Sequence, residues 1–154
     1  MDVSTAPARL RALPTWLLNQ AARRASGVVA ERMRAAGSHR SHYAMLAALD
    51  ERGALSQADL GRLVGLDRSD VAGAVADLLA AGVVDRRPDP DDRRRNSVAL
   101  TPAGRRRLAE LHDVVLAAQD DVLAPLDPDE RAQLLRLLAR LAGAPLPDDE
   151  PAHP

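Results

Sequence analysis

Three helix-capping signals, Ser56, Asp67 and Thr101, cut the middle of this chain into two short helices and one stretch that cannot be helical. In "LSQADLGRLVGL", Ser56 is a good N-cap, Leu60, Leu63 and Val64 face inward, and Gly65 closes the helix. In "DRSDVAGAVADLLAAG", Asp67 caps and Asp70 sits at the third helical position. Val71, Val75, Leu78 and Leu79 there share one face, and Gly82 ends the helix. Two helices meeting across "GLD" predict a helix-turn-helix. "VVDRR" then begins a β-branched strand, "PDPDD" is a turn, and "NSVALT" alternates as the returning strand. Thr101 caps the next helix, with Pro102 at its first position. A two-stranded hairpin directly after a helix-turn-helix is a wing, and Arg93, Arg94 and Arg95 lie at its tip. A charged linker would neither alternate nor be bracketed by helix stop and start signals.

Helices flank this unit on both sides. Residues 13–36 carry Trp16, Leu17, Ala21, Val28 and Met33 in a roughly helical stripe, with Pro14 near the start and Gly37 at the end. Residues 41–52 place Tyr43, Leu46 and Leu49 on one face. Residues 102–124 carry Leu108, Leu111, Val115, Leu116 and Val122 before Pro125 breaks the helix. A last helix over 128–142 opens on Asp127, Pro128 and Glu130 and carries a dense leucine face. The predicted fold class is mainly α with a small β-wing. The Pro-rich, acidic tail over 145–154 is expected to be disordered.

Composition narrows the function. The formal net charge of −1 hides a division, because residues 86–107 hold eight arginines against three aspartates while residues 120–150 are acidic. Every one of the 21 basic residues is arginine, which fits a GC-rich coding bias and weakens any single arginine as a signal. Cysteine is absent, so a disulfide, a thiolate metal site and a thiol redox switch are excluded. Residues 1–14 lack an apolar signal-peptide core, and no apolar run nears the ~18 residues of a membrane span, so a cytoplasmic location without membrane contact is expected. Trp16 and Tyr43 are the only aromatics, too few for a base-stacking platform on single strands. No GxSxG, HExxH or phosphate-loop motif is present, so an enzyme is not expected.

These elements resemble the MarR family of bacterial winged helix-turn-helix regulators over roughly residues 10–142. The wing matches the family pattern D-x-R-x-x-x-[LV]-x-L-T at Asp92, Arg94, Val98, Leu100 and Thr101. The stretch "SQADLGRLVGLDRSDVAGAVADLLAAGVVDR" resembles the family's helix-turn-helix segment. The resemblance implies a homodimer that binds a pseudo-palindromic site on double-stranded DNA, most simply a repressor relieved by a small molecule. Residues 1–37 and 102–144 would be dimerisation helices and residues 38–101 the DNA-binding lobe. The leucine surplus points the same way, with Leu10, Leu13, Leu17, Leu134, Leu138 and Leu141 as expected interface residues.

Within that frame each polar group has a sharp and a bland reading. Taking Val75 as the centre of the buried face puts Ser69, Asp70, Gly73 and Asp77 outward, with Arg68 at the exposed first turn. Arg68 would grip guanine, Ser69 a base or phosphate, and Asp70 would either accept from cytosine or merely complete a cap. Asp77 is expected to turn from the phosphates or to pair with an arginine. Ala72, Gly73 and Ala76 stand where relatives carry larger polar groups, so shape reading by the wing carries more of the specificity. Arg94 would enter the minor groove with Asp92 orienting it, while Arg93 and Arg95 bind phosphates. Ser56, Gln57, Arg40 and Ser38 stand at helix starts, as phosphate donors or plain caps.

The family's effector site, for small phenolic or anionic molecules, implies a pocket from Trp16, His39, His42, Tyr43 and Met45. The alternative makes Trp16 and Tyr43 core or interface and leaves the histidines at the surface. Two histidines three apart make no zinc site without a third ligand, and no cofactor is required. The rival to DNA binding is a winged-helix module for protein–protein contact.

Overall fold

The computed structural model describes residues 3–88 and 96–145. After a 3-10 turn at Val3–Thr5 come α1 (Ala8–Arg11), α2 (Pro14–Ala35), α3 (Arg40–Arg52), β1 (Leu55–Ser56), α4 (Gln57–Val64) and α5 (Arg68–Ala80). They are followed by β2 (Val84–Pro88), β3 (Asn96–Leu100), α6 (Pro102–Leu123) and α7 (Pro128–Ala142). The helix starts are chemically defined. Ser56, Asp67 and Thr101 accept the backbone N–H of Asp59, Asp70 and Gly104 at 3.1, 2.9 and 3.0 Å. Asp127 and Glu130 close a full capping box on α7. Each bond satisfies a first-turn N–H that would otherwise lack a partner.

The sheet is larger than the expected hairpin. β3 lies between β1 and β2 in an antiparallel three-stranded sheet, with Leu55 opposite Val98 and Val84 opposite Leu100. Two residues of strand carry no period, so β1 leaves no mark in the sequence. Its Ser56 is also the cap of α4, which masks it further. The short α1, which follows Pro7 without a side-chain cap, is likewise unannounced.

One aliphatic core joins all the parts. Met45, Leu46 and Leu60 are fully buried at 0% exposure, and they pack with Val71, Val75, Val98 and Leu100. Met33 of α2 and Leu111 of α6 belong to the same cluster. The terminal helices are therefore continuous in packing with the winged lobe. Arg32 of α2 pairs with Asp121 of α6, and Arg107 of α6 donates to the Ala36 carbonyl at the end of α2. At the α6–α7 corner, Arg131 reaches Asp120 at 3.0 Å and the Leu126 carbonyl at 3.1 Å.

The leucines of α1, the start of α2 and α7 stay largely outside this core. Neither α1 nor α7 has a buried residue. Leu10, Leu13, Leu17, Leu138 and Leu141 are exposed, Leu141 by 77%, and Leu134 is half-buried. Among the described residues no helix is long and apolar enough to cross a membrane.

Candidate nucleic-acid interface and the cleft behind it

The turn between α4 and α5 is tight. Gly65 adopts the left-handed conformation at φ +67°, which a side chain would strain, and Leu66 N–H returns to the Gly61 carbonyl at 3.0 Å. A Cβ on Gly61 would meet the Leu66 carbonyl oxygen and Val71 Cγ2 at 3.1 Å each, so the two helices approach as closely as a glycine allows. Asp67 then starts α5, accepting from Asp70 N–H and from Ser69 Oγ at 2.7 Å. Those hydrogen bonds, led by the one from the Asp70 backbone, hold the Asp67 carboxyl below its ordinary value.

The burial of α5 corrects the rotation read from the sequence. Val71, Ala74, Val75 and Leu78 are buried, so the inward face is centred between Val71 and Leu78, about 50° from Val75 at 100° per residue. Ala74, too small to register as a hydrophobic marker, joins that face while Leu79 is only half-buried, and together they move its centre. The strip left facing solvent is Ser69, Gly73, Ala76 and Ala80, with Arg68 exposed at the first turn. Asp70 and Asp77 fall on one flank, and with Ser69 and Gly73 they line a cleft. Asp70 closes no capping box of the kind Glu130 makes. Asp77 pairs with no arginine among the described residues and lies 3.5 Å from His42 Nε2.

The remaining groups proposed for DNA fall in three places. Ser56 and Gln57 sit at the start of α4, where the Ser56 hydroxyl both accepts from Asp59 N–H and donates to its carboxylate. Arg40 turns toward Ser26 of α2 at 3.4 Å and lines the cleft. Ser38 is buried against His42 and is not available to a phosphate. On the wing, Arg87 folds onto Asp85 and Arg86 is exposed. Asp92, Arg93, Arg94 and Arg95 lie outside the described residues.

The cleft has a volume of about 1040 Å³ and is enclosed by α2, α3, α5 and α6. His39, His42 and Tyr43 line it, and Trp16 and Met45 do not. Trp16 is half-buried near the start of α2, and Met45 is fully buried in the core. Met45 stands two residues, about 200°, from Tyr43 on α3, so the spacing already sets the two side chains on opposite faces and they cannot share one wall. Tyr43 donates or accepts at 2.9 Å with His112 Nδ1 of α6. Ser26, Val29, Met33 and Arg34 of α2 complete one wall, and Val115 and Gln119 of α6 another. The sequence held a signal for the α2 wall, because residues 26, 29, 30, 33 and 34 share one helical face.

His42 is buried, not at the surface. Its Nδ1 lies 3.2 Å from Ser38 Oγ and its ring stands edge-on to His39 at 5.2 Å between centroids. Burial holds its imidazole below the ordinary histidine value, His39 and Arg107 add to that, and Asp77 opposes it. Among the described residues no three His, Cys, Asp or Glu side chains gather into a metal site.

Known proteins resemble this arrangement. The MarR family profile matches residues 36–95. The HTH-type transcriptional repressor NicR of Pseudomonas putida is 31% identical over 99 residues, which is 64% of this chain and 63% of that protein. The other curated relatives are matched over 60–64% of their own length. A probable transcriptional regulator from Pseudomonas aeruginosa superposes with a TM-score of 0.74 at 36% identity, over 86% of this chain and 98% of that one. BpsR of Bordetella bronchiseptica, a protein whose DNA binding is regulated by 6-hydroxynicotinic acid, gives a TM-score of 0.76 at 26% identity over 91% and 100%. With that profile match on its helix-turn-helix and a solved relative superposing over its long helices as well, the chain belongs to the MarR family of transcriptional regulators.

Proposed function

We propose that this chain is a homodimeric, sequence-selective binder of double-stranded DNA that acts as a repressor and is released by a small phenolic or anionic molecule. The observation that carries this reading is the exposed first turn of α5. It presents Arg68 and Ser69 from a helix-turn-helix whose next element is a two-stranded arm leading to Arg93–Arg95. An exposed guanidinium at that end of the helix suits the guanine edge in the major groove. The outward strip of Gly73, Ala76 and Ala80 admits close approach but donates nothing, so the arm, with Arg94 in the minor groove, supplies more of the selectivity.

The uncovered leucines of α1, α2 and α7 supply the dimer surface. A two-fold axis there sets two α5 helices about 34 Å apart, one turn of duplex, and makes the site pseudo-palindromic. The effector occupies the cleft, where Arg34 and Arg40 offer charge to an anion and Tyr43 offers an aromatic wall. That BpsR is regulated by 6-hydroxynicotinic acid supports an effector of this class.

Selection from a pool of random duplexes, followed by binding isotherms across salt concentration, tests the reading. Binding should weaken steeply with salt. Arg68→Ala should cost about 1–3 kcal/mol at one base step, and Arg94→Ala should weaken binding and flatten the salt slope. No enrichment of any duplex, even in dilute buffer, would leave the protein–protein module as the better reading.

A further inference from the structure

We propose that His42 ties α5 to the α2–α3 turn beside the apolar core that seats the helix, and that protonating it tightens this tie. His42 is the only buried ionisable side chain among the described residues. Its ring joins three segments, with Ser38 in the α2–α3 turn on one nitrogen and Asp77 of α5 on the other. The groups facing it are His39 beside it on α3, Asp77 on α5 and Arg107 on α6. Asp70, Arg34 and Arg40 share the large cleft with it. The ring also walls a second cavity of about 280 Å³, with Leu46, Leu78 and Arg107. Protons therefore reach it from two sides without unfolding.

The two protonation states use the same partners differently. A neutral ring with its proton on Nε2, the nitrogen that faces Asp77, accepts from the Ser38 hydroxyl at Nδ1. The 3.5 Å separation there is long for a hydrogen bond and leaves room to close. A second proton makes Nδ1 a donor to Ser38 Oγ, turns the hydroxyl hydrogen away, and makes the Asp77 contact charge-assisted, roughly twice as strong as a neutral one. The same charge opposes Arg107, which donates to the Ala36 carbonyl and to Glu110. Acid thus draws α5 toward α3 and loosens α3 from α6. Because α5 is the helix assigned to the groove, this extends the DNA-binding reading to acid regulation, but the contact itself stands without it.

The test uses the ¹⁵N-labelled full chain with no duplex present, so its outcome is separate from DNA binding. Imidazole nitrogens and backbone amides are followed from about pH 8 to about pH 5. In the parent, amides over residues 70–80 should titrate with the midpoint of the His42 ring. Asp77→Asn, at a side chain 66% exposed, should lower that midpoint and flatten the α5 response. His42→Gln should abolish the response and identify the ring signal. The proposal is overturned if α5 amides ignore the ring's titration, or if Asp77→Asn leaves the midpoint unmoved.

Discussion

Gly104 lies so close under the end of α5 that a Cβ built on it would fall 2.0 Å from the Val83 carbonyl oxygen and 2.9 Å from Leu100 Cδ2. The same Val83 oxygen accepts Thr101 N–H at 3.1 Å, and the Thr101 hydroxyl donates to the Gly82 carbonyl at 2.9 Å. Wing, α5 terminus and α6 start are thus pinned at one point where only a glycine fits. Gly104→Ala must move backbone, so it should destabilise the chain by roughly 1–3 kcal/mol, the usual range for overpacking. Thermal or denaturant unfolding reads this directly, and an unchanged midpoint would contradict the close approach.

Gly73 is the opposite case. It sits inside α5 with nothing within 4 Å of an added Cβ. Gly73→Ala should stabilise by roughly 0.5–1 kcal/mol, because alanine loses less backbone freedom on entering a helix. The same unfolding experiment checks it, and a loss of stability would mean that the cleft flank of α5 is occupied by something at that point.

Acid should weaken the fold through His42, because burial of the charged ring and its repulsion from His39 and Arg107 outweigh the closer Asp77 contact. Its folded value lies below the 6.5 of an unperturbed histidine. As pH falls from above 6.5, the unfolded chain takes up the proton first. The stabilising contribution is therefore complete above that value and is lost as pH drops through the lower folded value. His42→Gln should show a shallower decline over that window when paired denaturation curves are compared. Parallel curves would assign the decline to the carboxylates alone.

The dimer proposal has its own consequence. Leu138→Glu together with Leu141→Glu puts two charges on the exposed face of α7, where a second protomer would have to desolvate them. Light scattering should then fall from twice the 16.5 kDa chain mass to that mass itself, with helix content unchanged. A parent protein that already scatters as one chain would remove the dimer.

What the chain announces on its own is local. An N-cap bond spans three residues and a strand alternates every second one, so Ser56, Asp67, Thr101 and Asp127 mark their helices without help from the fold, and residues 96–100 mark the returning strand. The order of elements, and with it the family, follows from those short-range rules. Distant contacts settle the rest. Ala74 looks neutral in sequence and Leu79 looks apolar, yet the first is buried and the second only half-buried, which leaves Asp70 and Asp77 flanking a cleft. Met45 and Tyr43 lie on opposite sides of α3, and only packing decides which side meets the core and which meets His112. The His42–Asp77 contact and the two-residue β1 arise only when α3, α5 and the wing close on one another, because neither has a partner nearby in the chain.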